Sequence, residues 1–138
     1  MVDKVAGERR DEAIARVASL QHGIVTLEQL GAHGLSRQAV SNRVRAGRLH
    51  RLQRGVYAVG HTALTASGRR LAAVLTFGEF AVVSHITAAA IWEIRPTASG
   101  LVHVTVPGGA RSRGNIRVHR RAVDAGAGRM RVVPCAGI

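Results

Sequence analysis

The 138-residue chain carries 20 basic residues against 8 acidic ones, a formal net charge of +12, with 46% hydrophobic residues and a mean hydropathy just above zero. That length holds one ordinary domain or two small ones and excludes a large multidomain enzyme, while the apolar content is enough for a packed core. A lone cysteine, Cys135, rules out a disulfide framework, no run approaches the roughly 18 apolar residues of a membrane span, and residues 1–10 lack a signal-peptide core. The expectation is a cytoplasmic protein with a polyanionic partner, nucleic acid first.

Residues 1–10 read as a flexible arm. The run 11–21 places Ile14, Val17 and Ala18 at helical spacing, with acids at its start that suit the helix dipole, and Gly23 ends it. Thr26-Leu27-Glu28-Gln29 has the capping-box pattern and predicts a short helix to about His33, stopped by Gly34. Ser36 then offers an N-cap for a helix over 37–46, ended by Gly47. Two short helices joined by a turn of about four residues containing Gly form a helix-turn-helix, whose second helix enters the major groove. Residues 49–52 and 56–60 read as strands around Gln53-Arg54-Gly55, a wing. Together, 11–60 make a winged helix-turn-helix DNA-binding domain.

The charge is concentrated there. Through Glu28 the chain is slightly acidic; beyond it stand 16 Arg against Glu79, Glu93 and Asp124, and residues 29–78 contain no acid. Six Arg fall within 37–54, whereas a solvated surface usually intersperses acids. At about 100° per residue, Val40 and Val44 share one face of the second helix, with Leu35 joining the core from just before it. Opposite lie Gln38, Ser41, Asn42 and Arg45, types that match base edges: Arg bonds guanine O6 and N7, Asn or Gln bonds adenine N6 and N7. Ser36, Arg37, Arg48, His50, Arg51 and Arg54 are assigned to the phosphate backbone and the wing, contacts that fix register without reading sequence. Arg43 borders the core face and serves phosphate or structure. Tyr57 is open between a phosphate or stacking contact and packing on the first helix.

Beyond the wing the character changes. A helix over 68–77, a strand over 80–83, a helix capped by Ser84 running to Trp92 and stopped by Pro96, and strands over 101–106 and 116–119 predict a small α+β module across 61–121. The Gly- and Arg-rich stretch 107–114 reads as a mobile basic hairpin tip, and 122–138 as an irregular tail. The fold class is therefore α+β: an N-terminal winged helix-turn-helix followed by a small α+β module.

Catalytic signals are weak. A metal-dependent nuclease needs clustered carboxylates near a lysine, but the only Lys is Lys4 and the acids after Glu28 are isolated. The seven His stand at least 11 residues apart, without the close pairs of zinc sites. No enzyme, metal or cofactor is expected, and His85 is read as a capping or packed histidine before a chemical one. Among the aromatics, Phe77, Phe80 and Trp92 fall in apolar runs and read as core, which leaves no stacking platform for RNA. The alternatives to a DNA-binding regulator are a basic RNA-associated protein and a protein-interaction module.

Gly34-Leu35-Ser36-Arg37-Gln38-Ala39-Val40-Ser41, Gly47-Arg48-Leu49-His50-Arg51 and Arg54-Gly55-Val56-Tyr57-Ala58-Val59-Gly60 resemble the actinobacterial branch of the AbiEi-like antitoxins of type IV toxin–antitoxin systems. Ser84-His85 with Ala88-Ala89-Ala90-Ile91-Trp92, His103-Val104-Thr105-Val106-Pro107 and Ile116-Arg117-Val118-His119-Arg120 look like that family's second module. The resemblance implies a winged helix-turn-helix that represses its own promoter at repeated operator sequences; because one winged module binds modestly, two copies on repeated half-sites of double-stranded DNA are expected. It also implies a domain that counters a nucleotidyltransferase-like toxin without a stable complex. It fades near Val123, where relatives continue further, so the tail reads as a truncation or frameshift product.

Overall fold

The computed structural model describes residues 2–78, 80–94 and 100–121. The chain divides into two compact units, Met1–Ala72 and Ala73–Ile138, with the division inside a helix.

The first unit begins with helix α1 (Val2–Leu20), so the stretch read as a loose arm is helical almost to its start. Nothing before Asp11 breaks a helix except Gly7, and once Ile14 and Ala18 are fixed in the core, each added turn costs only propagation. Lys4, Val5 and Ala6 are exposed, so packing supports only the later turns. Helix α2 (Leu27–Ala32) opens with the expected capping box: the Gln29 amide donates to Thr26 Oγ1 and the Thr26 amide to Gln29 Oε1, at 3.1 and 3.0 Å. Gly34, at φ 83°, turns the chain toward helix α3 (Arg37–Arg45), and Arg10's guanidinium lies against that turn.

Strand β1 (Ile24–Thr26), absent from the sequence reading, pairs antiparallel with β3 (Val56–Val59), which pairs in turn with β2 (Leu49–Gln53). The order β1-β3-β2 makes the wing one side of a three-stranded sheet. Ile14, Ala18, Val25, Leu30, Leu35, Val40, Leu49 and Tyr57 form the core, which decides Tyr57 in favour of packing.

The second unit includes the end of helix α4 (Ala66–Phe77), β4 (Val82–Val83), helix α5 (His85–Ile91), β5 (Val102–Pro107) and β6 (Ile116–Arg121). Four expectations are corrected here. Strand β4 does not begin at Phe80, whose side chain is 71% exposed; Trp92 is 51% exposed, so neither aromatic is core. Ser84 occupies the N-cap position of α5 but makes no capping bond, because its hydroxyl accepts from Thr105 Oγ1 at 2.7 Å. Strands β5 and β6 run parallel, so 107–114 is no hairpin tip. A six-residue strand spans about 20 Å, and the stretch 108–115 is long enough, when extended, to run back along it. Parallel pairing sets Val102, Val104 and Val106 beside Ile116 and Val118, and this face packs with Ala73, Val74, Phe77, Ala81 and Ala110. His103, Thr105, Arg117 and His119 alternate onto the other face. The expected stop at Pro96 and the tail 122–138 lie outside the described residues.

Candidate nucleic-acid interface

Helix α3 is the centre of the site. Its start is fixed by Ser36, whose Oγ accepts from the Ala39 amide at 3.1 Å, and its inner side by Val40, 3% exposed. Ala39 packs partly on the core, and Arg43 is half-buried. The buried side therefore centres between Val40 and Ala39, which rotates Val44 out to 37% exposure; the expectation that Val44 faces inward is corrected. The same rotation leaves Gln38, Ser41, Asn42 and Arg45 together on the outward side, all exposed.

Two of these side chains are coupled. Gln38 Nε2 donates to Asn42 Oδ1 at 3.0 Å, one helical turn apart. The bond orients both amides, leaving the Asn42 amino group as a donor and the Gln38 carbonyl as an acceptor. A donor and an acceptor side by side are what the N7 and N6 edge of adenine requires.

Arg43 takes the structural alternative: its Nη2 lies 2.7 Å from Asp11 Oδ1, joining α3 to α1. Arg48 reaches the other oxygen of Asp11 only at 3.5 Å, and its side chain is 69% exposed, so most of its donors face solvent. Replacing Asp11→Asn removes the charge opposing Arg43 in a half-buried contact, and we expect a loss of about 1 kcal/mol in unfolding free energy. Urea unfolding checks this: the midpoint should fall at constant slope, and an unchanged midpoint would show that the pair contributes nothing.

The other backbone candidates are spread around α3. Ser36 and Arg37 are exposed at its first turn. Arg51 is exposed on β2, opposite Tyr57, and Arg54 is exposed in the tight turn of the wing that Gly55 closes at φ 75°. His50 pairs with Ala58, away from that turn, and its Nε2 lies 3.3 Å from the Gly60 carbonyl; the structure does not bring it together with Arg54.

One group escaped sequence reasoning. His85, His103 and His119 meet in the second unit: His85 stacks on His119 with ring centroids 3.7 Å apart, and His103 Nδ1 and His119 Nε2 share a hydrogen bond at 2.9 Å. Their separation in sequence hid this: the register pairs His103 with Arg117 and Thr105 with His119, so the two imidazoles meet diagonally across adjacent strands, and His85 reaches them from a third element. Among the described residues no three His, Cys, Asp or Glu side chains are arranged to hold a metal ion, and no helix is long and apolar enough to cross a membrane.

Three helices, a three-stranded wing sheet and a polar, basic outer face on the third helix define the first unit as a winged-helix DNA-binding domain. Residues 12–60 match the family model described as transcriptional regulator, AbiEi antitoxin, and are similar to the N-terminal region of AbiEi-like antitoxins. The match ends at Gly60, before the residues of the second unit. No curated protein matches the chain.

Proposed function

We propose that the protein is a cytoplasmic, non-enzymatic, sequence-specific regulator that binds double-stranded DNA at its own promoter, as the autorepressing antitoxin of a type IV toxin–antitoxin system. The observation that carries the reading is the outward face of α3, where Gln38, Ser41, Asn42 and Arg45 stand exposed opposite buried Val40. These four side chains read base edges in the major groove, while Ser36, Arg37, Arg48, Arg51 and Arg54 hold phosphates. His50 has the weakest claim among the backbone contacts, given its place near Gly60. One winged module buries a modest area, so two copies on repeated half-sites, one or two helical turns of about 34 Å apart, supply operator affinity. The functional counterpart is a nucleotidyltransferase-like toxin.

Titration against the upstream duplex, a random duplex and a structured RNA at two salt concentrations tests this reading. A preference for the upstream duplex that survives the higher salt supports it; equal, salt-sensitive binding to all three contradicts it and favours a general polyanion binder. Within the same assay, Arg51→Ala is expected to weaken binding to every duplex alike and to lower the slope of log K against log salt by about 1, since one phosphate contact releases about one counterion. A loss confined to one sequence would instead make Arg51 a base reader.

A further inference from the structure

We propose that His85, His103 and His119 form a proton-sensitive latch that holds the first turn of α5 onto β5 and β6, and that proton uptake by the cluster releases it. The attachment is specific. Where β4 ends, the first turn of α5 takes over its place beside β5: the Ser84 amide donates to the His103 carbonyl at 2.9 Å, and the His103 amide to Thr87 Oγ1 at 2.8 Å. Thr87 is buried, so its bond to the His103 amide is shielded from water while the turn is in place. The His85 ring then reaches across to stack on His119, while His119 shares its hydrogen bond with His103. Three elements are thus joined through three imidazoles.

That arrangement does not survive protonation of both rings of the His103–His119 pair. A hydrogen bond between two ring nitrogens needs one of them to accept, and an imidazolium has no acceptor, so the pair cannot carry two protons and keep the bond. The charged neighbours add to this. Helix α5 contributes His85, β5 contributes His103, and β6 contributes Arg117 and His119; α5, β4, β5 and β6 contain no carboxylate, and Glu93 lies exposed beyond the end of α5. The facing hydroxyls of Ser84 and Thr105 are neutral, with Ser84 Oγ 2.9 Å from His85 Nδ1. Burial first, then the proximity of His85 and Arg117, holds His103 below the ordinary imidazole value of 6.5. The same causes, with His103 added, lower His119. Because the folded state prefers the unprotonated rings, their contribution is complete above about pH 6.5 and is lost as pH falls through the lowered folded values.

Amide hydrogen exchange on the full chain at pH 7.5 and 5.5, corrected for intrinsic rates, tests the latch. Protection of α5 and of the His103 amide should drop severalfold at the lower pH, while Leu30 and Val40 in the first unit hold. The double variant His103→Gln, His119→Gln should lose most of that drop. Unchanged α5 protection in the natural chain, or an undiminished drop in the variant, would overturn the proposal. Should the variant fail to fold, titration of the imidazole ring protons in the natural chain decides. Midpoints for His103 and His119 below 6.5, with α5 backbone shifts following them, support the latch; midpoints at or above 6.5, or α5 shifts that do not follow, overturn it.

Discussion

Leu30→Ala is expected to destabilise the first unit by about 2 to 5 kcal/mol, the range for removing a buried leucine and leaving part of the cavity open. Leu30 is 1% exposed and is the buried residue of α2. Its carbonyl also accepts from the Leu35 amide, so the turn that sets α3 against α2 is tied to the same residue. A domain of this size is stable by only about 5 to 15 kcal/mol, so the loss is a large share of the total. Urea unfolding followed through amide signals of the first unit measures it, with Leu30→Met, which nearly conserves volume, expected to cost less than about 1.5 kcal/mol. Equal effects of the two substitutions would mean that the site tolerates a cavity and that α2 is not fixed by this packing.

Asn42→Ala is expected to leave stability and random-duplex binding nearly unchanged while costing about 1 to 3 kcal/mol on the preferred site, roughly five- to 150-fold in affinity. The side chain is exposed and its one side-chain partner among the described residues is Gln38, itself exposed, so little folding energy depends on it. That partnership adds a sharper expectation. If the two amides read DNA as a pair, Gln38→Ala and Asn42→Ala should be non-additive, with the double variant losing less than the sum of the singles. Equal losses from Asn42→Ala on preferred and random duplexes would remove it from base reading, and strict additivity would remove the pair.

The parts of this fold that were legible in the sequence are those decided locally. Thr26 with Gln29, Ser36, Gly34 and Gly55 act within a few residues, and each has its anticipated place in a cap or turn. The outward set on α3 was legible for the same reason, since helical spacing alone separates Gln38, Ser41, Asn42 and Arg45 from Val40. Strand β1 was not, because three residues are a strand only through their pairing with β3, 30 to 34 positions away. Val44 was misplaced by about one ridge of the helix: the half-buried ion pair of Arg43 with Asp11 turns the inner side toward Ala39, and an arginine gives no apolar signal. In the second unit the error lay in strand direction. A short Gly-rich link between two strands suggests a hairpin, and a hairpin would set the residues of β5 and β6 against one another in a different register. A hairpin pairing Val106 with Ile116 would also set His103 beside His119, so what spacing alone does not show is His85, which joins them from α5 through a turn held to β5 by the Ser84 and His103 amides.

The central claim is that the outer face of α3 reads DNA while the wing holds its backbone, and backbone amide NMR of the full chain titrated with its upstream duplex tests it most directly. The account predicts that the perturbed resonances concentrate at Gln38, Ser41, Asn42 and Arg45 on α3 and at Arg51, Arg54 and Gly55 in the wing. A duplex that binds while perturbing α1 or the second unit, with α3 and the wing unmoved, would contradict it.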